Sequence, residues 1–187
     1  MLPSVAVNVL LAVFVAAATL GHAKRAPVKI ILRFFTALSN LLCALAALAV
    51  AVCRLGGDLP YWAGVLKYVG TAAVTVTMLT VLFFLGPTIG YKKLLTGPDL
   101  WLHLVCPVLA IVSLLLWDKP AMPFGAVALG TLPVVLYGAM YVYRVLRAPE
   151  PKRWPDFYGF NRGGKWPVSL AAMLVGAFLV SVVLRCV

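Results

Sequence analysis

Apolar residues run through this chain in long blocks, and the charged residues collect between them. Six blocks are long enough, at roughly 20 residues each, to cross a ~30 Å hydrocarbon core as helices. They fall at about 3–20, 31–53, 63–86, 100–117, 123–143 and 167–186. The pattern predicts an all-α, polytopic membrane protein, a six-transmembrane-helix bundle in which residues 1–187 form a single integral membrane domain. The first block, SVAVNVLLAVFVAAATL, has the look of a signal-peptide core. However, MLPS lacks a basic n-region and GHAKRAP is not a small-x-small cleavage site, so the block is expected to stay as helix one.

Polar residues inside the blocks are the informative exceptions. Thr36, Ser39, Asn40 and Cys43 recur at 3/4 spacing, which lines them along one face of the second helix. An amide is costly in hydrocarbon unless neighbours satisfy it, so that face is expected to point inward. The alternative is helix-to-helix glue, since small polar residues are common where membrane helices touch. Thr71, Thr75, Thr77 and Thr80 in the third block fit that structural role. Ala172 and Gly176 in the sixth form a small-xxx-small pair suited to close packing.

His103 stands out in DLWLHLVCPVLA. It lies four residues after Asp99, the expected cap of its helix, and four before Pro107. The proline cannot donate to the carbonyl of residue 103, so an imidazole and an under-satisfied acceptor share one turn. Ionisable groups within spans mark pathways or reaction sites, although a histidine bonded to a neighbouring helix near the headgroups is the plain alternative. At 1.5 Å rise per residue, Thr36 and His103 are both expected ~5–8 Å inside the same end of the bundle.

Charge orients the spans. Lys24, Arg25, Lys29 and Arg33 fall in the first loop, Lys92 and Lys93 in the third, and Arg144, Arg147, Lys152, Arg153, Arg162 and Lys165 in the fifth. Even-numbered loops are nearly neutral, with Arg54 and Lys67 against Asp58, and Lys119 against Asp118. The positive-inside rule then puts odd-numbered loops in the cytoplasm and both termini outside.

Composition supports the membrane class and narrows the chemistry. The chain is 64% hydrophobic, against roughly 45–50% in soluble domains, and its mean hydropathy is +1.04. The net charge of +11 sits beside spans, which suits anionic headgroups and argues against a nucleic-acid partner. Cys43, Cys53, Cys106 and Cys186 show no C-x-x-C spacing, and with only His22 and His103 no metal site is expected. No cofactor is called for.

A threonine beside a neutral imidazole is the arrangement of nucleophilic ester cleavage. Asp99 and Asp156 are the candidates to orient the histidine. Ser39, Asn40, Arg33 and Asn161 are the candidates to hold the oxyanion or position substrate. Arg33 suits a fatty-acid carboxylate. The aromatic, proline-rich stretch RAPEPKRWPDFYGFNRGGKWP before the last span reads as interfacial, with the added option of covering a cavity mouth.

Three stretches, RFFTALSNLL (33–42), WLHLVCPVLAIVSLLLWD (101–118) and WPDFYGF (154–160), together resemble the androgen-induced family of multi-span membrane threonine hydrolases and its short bacterial six-helix relatives. The resemblance implies hydrolysis of fatty acid esters of hydroxy fatty acids, with Thr36 as nucleophile and His103 as base. It also implies membrane lipids and a lipid ester as partners and, with the short loops, a place in the bacterial inner membrane. Two other functions are open to these residues. In a non-catalytic lipid-binding or structural membrane protein, the same polar groups would satisfy one another. A small transporter fits worse, because no span shows an internal carboxylate or arginine and no inverted repeat relates the halves.

Overall fold

The computed structural model describes all 187 residues. It contains six helices long and apolar enough to cross a membrane: α1 (Leu2–Ala23), α2 (Phe35–Leu55), α3 (Tyr61–Ile89), α4 (Pro98–Asp118), α5 (Phe124–Arg147) and α6 (Trp166–Cys186). The chain is an all-α six-helix membrane bundle. Loops one, three and five lie at its basic end.

Helix α3 is the hub. It packs against α2, α4, α5 and α6, while α1 covers α2 and α4. Lipid tails are as apolar as leucine, so close contact rather than water exclusion holds such helices together. Small residues permit that contact: a Cβ on Gly70 of α3 would stand 2.9 Å from the Cα of Cys43 in α2. Ala46, Ala47, Ala72 and Ala73 are fully buried.

Helix α2 starts later than its hydrophobic block suggests. Pro27 opens a short helix, Val28–Ile31, and the chain then turns through an extended Phe34 before α2 begins at Phe35. Thr36 therefore occupies the first turn, where backbone N–H groups have no partners in the helix.

Two prolines reshape the other spans. The turns before Pro87 and Pro107 widen to the π form, over Val81–Leu85 and Trp101–Val105. Proline supplies no N–H, and the backbone adapts by reaching one residue further back.

The charge tally places Lys67 and Asp118 in sparsely charged loops, but both are wholly inside the bundle, at 0% exposure. Asp118 accepts hydrogen bonds from Ser4 Oγ at 2.5 Å, Ser113 Oγ at 2.5 Å and Asn8 Nδ2 at 2.7 Å. Lys67 Nζ donates to Asn8 Oδ1 at 2.6 Å. Isolated charges would be costly here, so the interposed amide and hydroxyls make their burial tolerable. This network ties α1, α3 and α4 together at the end opposite the basic loops, about 22 Å along α4 from His103.

Candidate active site

Thr36 Oγ1 and His103 Nε2 are 3.3 Å apart. The approach depends on the π turn. Cys106 N–H bonds the Trp101 carbonyl, five residues back, and leaves the Leu102 carbonyl without its usual helical donor. The Asn40 side chain takes that carbonyl at 3.0 Å and the Thr36 carbonyl at 2.9 Å. One amide thus holds the backbone of the threonine and the residue next to the histidine. The freed acceptor expected at position 103 is put to use one residue earlier.

His103 is only 6% exposed, and its second nitrogen fixes its tautomer. Nδ1 lies 2.8 Å from the Leu94 carbonyl. A carbonyl only accepts, so Nδ1 carries a proton, and in the tautomer this selects the Nε2 lone pair faces Thr36. Leu94 ends the short helix Tyr91–Leu94, and such terminal carbonyls have no partner within their own helix.

The two carboxylates expected to orient His103 are engaged elsewhere. Asp99 neither caps α4, whose N-cap is Gly97, nor meets His103. It lies 3.4 Å from His22 Nε2. Asp156 folds the fifth loop, accepting from Tyr141 Oη at 2.9 Å and from the N–H groups of Phe160 and Asn161 at 2.8 Å each.

Of the candidate oxyanion donors, Asn40 and Ser39 are committed, and Arg33 and Asn161 do not line the cavity that Thr36 faces. Both protons of the Asn40 amide are used on carbonyls. Ser39 Oγ lies 2.8 Å from Thr77 Oγ1 and 3.2 Å from the Thr36 carbonyl. The Arg33 guanidinium rests 5.7 Å from the Trp154 ring centroid, and its carbonyl takes the Tyr137 hydroxyl. Asn161 lends its N–H to Asp156, while its Oδ1 has no partner.

Thr36 faces an apolar cavity of about 470 Å³ between α3, α6 and the fifth loop. Phe83 and Phe84 line it while being 69% and 66% exposed, so its mouth opens sideways toward lipid. Ala172 and Gly176 do not pack against another helix here. Both line the cavity, and a Cβ on Gly176 would meet nothing within 4 Å. A second recess of about 250 Å³ lies against α5 and shares Phe35 and Tyr137 with the first. Thr77 and Thr80 also line the main cavity.

Tyr158 is the residue that spacing and composition miss. It lines the cavity beside Thr36, and its oxygen accepts from Phe35 N–H at 3.0 Å. Rings of Tyr137, Tyr141 and Phe157 pack round it. Its sequence signals are membership of an aromatic loop, which an interfacial belt explains equally well, and of the WPDFYGF stretch that shares in the resemblance without singling it out. No protein-family model, curated protein or solved structure matches the chain.

Proposed function

We propose that the protein is an intramembrane lipid-ester hydrolase with Thr36 as nucleophile and His103 as general base. The observation that carries this is the 3.3 Å approach of Thr36 Oγ1 to a histidine nitrogen. Its other nitrogen is already oriented by the Leu94 carbonyl. Thr36 Oγ attacks the ester carbonyl carbon and passes its proton to Nε2. The tetrahedral adduct then collapses, the bond to the leaving alkoxide breaks, and Nε2–H protonates that alkoxide. Water attacks the acyl-threonine in the same way and releases a fatty acid. Leu94 takes the part that a carboxylate plays in a triad.

The cavity favours lipid. It is lined mainly by hydrocarbon and aromatic side chains, opens to the bilayer, and has Thr36, Thr77, Thr80 and Ser169 as its few hydroxyl groups besides tyrosine. The second recess, which shares Phe35 and Tyr137 with the first, offers a place for the other chain of a branched ester. That agrees with fatty acid esters of hydroxy fatty acids, the class implied by the resemblance to androgen-induced hydrolases. The basic end is proposed to face the cytoplasm, and reaction then takes place just below the cytoplasmic headgroups.

The test is hydrolysis of straight-chain and branched fatty acid esters by purified wild type, Thr36→Ala and His103→Ala in mild detergent. Wild type turns over at least one ester, and each variant loses at least about 10²-fold while keeping its elution profile and melt. Equal turnover by all three proteins moves the chemistry to another site. A folded wild type with no turnover leaves a lipid-binding protein.

A further inference from the structure

The hydrolase needs a donor for the developing oxyanion, and Arg33, Ser39, Asn40 and Asn161 are all absent from the wall of the cavity that Thr36 faces. The geometry points to the Tyr158 hydroxyl as that donor; the assignment rests on the hydrolase proposal above.

Three observations converge on it. First, Tyr158 and Thr36 line the same cavity, the space that an ester carbonyl attacked by Oγ would enter. Second, the phenol oxygen accepts from Phe35 N–H at 3.0 Å, and apart from the neighbouring Tyr137 hydroxyl no protein acceptor meets the phenol's own proton. The neighbouring tyrosines differ: Tyr137 donates to the Arg33 carbonyl and Tyr141 to Asp156. Third, the N–H groups of Phe35 and Thr36, in the first turn of α2 where no helical acceptor takes them, are both directed at the Tyr158 oxygen, which sets the phenol beside the nucleophile. The phenol therefore stands beside the nucleophile with no carbonyl or carboxylate taking its proton, and the start of α2 adds a field that favours negative charge.

The loop holds this hydroxyl in place. Asp156 gathers the N–H groups of Phe160 and Asn161, and Tyr141 Oη accepts from Tyr158 N–H at 3.2 Å. Gly159 follows at φ +65°, a left-handed turn that other residues adopt only with strain. Burial pushes the Tyr158 phenol up to about 12, against the pull of the Phe35 and Thr36 N–H groups and of Tyr137. The hydroxyl is therefore protonated at neutral pH. In the reaction it donates a hydrogen bond to the carbonyl oxygen as the π pair moves onto it. Its proton is not transferred.

Tyr158→Phe keeps the ring and removes the donor. The full-length variant in detergent is expected to lose about 10²–10³-fold in kcat with little change in KM. Binding of an alkyl trifluoromethyl ketone, which forms the tetrahedral adduct, falls in step, while a non-hydrolysable ether analogue of the ester binds unchanged. Unchanged kcat in a folded Tyr158→Phe protein, with wild type active and Thr36→Ala inactive, overturns the Tyr158 assignment alone. An inactive wild type that also fails to bind the ketone overturns the hydrolase proposal instead. Should the phenylalanine variant fail to fold, fluorotyrosine incorporated at position 158 keeps the shape and lowers the phenol pKa. The alkaline limb of the rate profile then moves to lower pH, and an unmoved limb overturns the assignment.

Discussion

Asn40 reaches from α2 to the Leu102 carbonyl of α4 at 3.0 Å, one residue short of His103. Its other amide proton goes to the Thr36 carbonyl. The relationship exists because Pro107 and the π turn leave an acceptor free inside the bundle. The same defect in the helix both turns the histidine and supplies the anchor that holds it near the threonine.

Asn40→Ala should therefore damage catalysis more than folding. Two buried carbonyls lose their donor, which is expected to cost about 1–2 kcal/mol of stability. Turnover by the folded fraction should fall at least tenfold as Thr36 and His103 separate. Paired melts and ester kinetics measure both effects.

The cavity makes a separate prediction about chain length. Gly176→Leu places a side chain where a Cβ now meets nothing within 4 Å. Long-chain esters should lose about tenfold or more in kcat/KM while short-chain esters keep theirs. A kcat/KM series across acyl length, compared with wild type, gives the answer.

At the far end, the buried network should govern stability without touching chemistry. Lys67→Met or Asp118→Asn alone leaves an uncompensated buried group and is expected to cost about 3–5 kcal/mol. The double variant should cost less than the sum of the two. Folded molecules of each should retain wild-type kcat, read from active-site-normalised rates.

Alkaline pH should loosen the fold through Tyr158. The folded chain keeps this proton to about 12, while the unfolded chain releases it near the usual 10. Stability contributed by the buried phenol is full below pH 10 and falls as pH rises toward 12, because the folded state binds the extra proton. The melting curves of wild type and Tyr158→Phe should diverge only in that window.

Hydrophobic patterning was enough to find the spans, because length and apolar content are what a bilayer demands of a helix. The facing of Thr36, Ser39, Asn40 and Cys43 was also legible, since 3/4 spacing maps directly onto one side of α2. Other features leave no such trace. The Leu94 carbonyl is backbone, available at any residue, and its use by His103 depends on how the third loop folds back. Lys67 and Asp118 look like loop charges because their partners, Asn8 and Ser4, come from a helix remote in sequence. Tyr158 is hidden among aromatics that any membrane interface would favour. Ala172 and Gly176 show the converse case: small residues at helical spacing open a cavity in this bundle rather than close a contact.

The most direct measurement is to treat the purified protein with a long-chain alkyl fluorophosphonate and locate the adduct by mass spectrometry of its peptides. The expected result is a phosphonyl group on Thr36 in wild type, its loss in Thr36→Ala, and a strong reduction in His103→Ala. An adduct on a different residue, or none on Thr36 in a preparation that hydrolyses esters, would contradict the threonine–histidine mechanism.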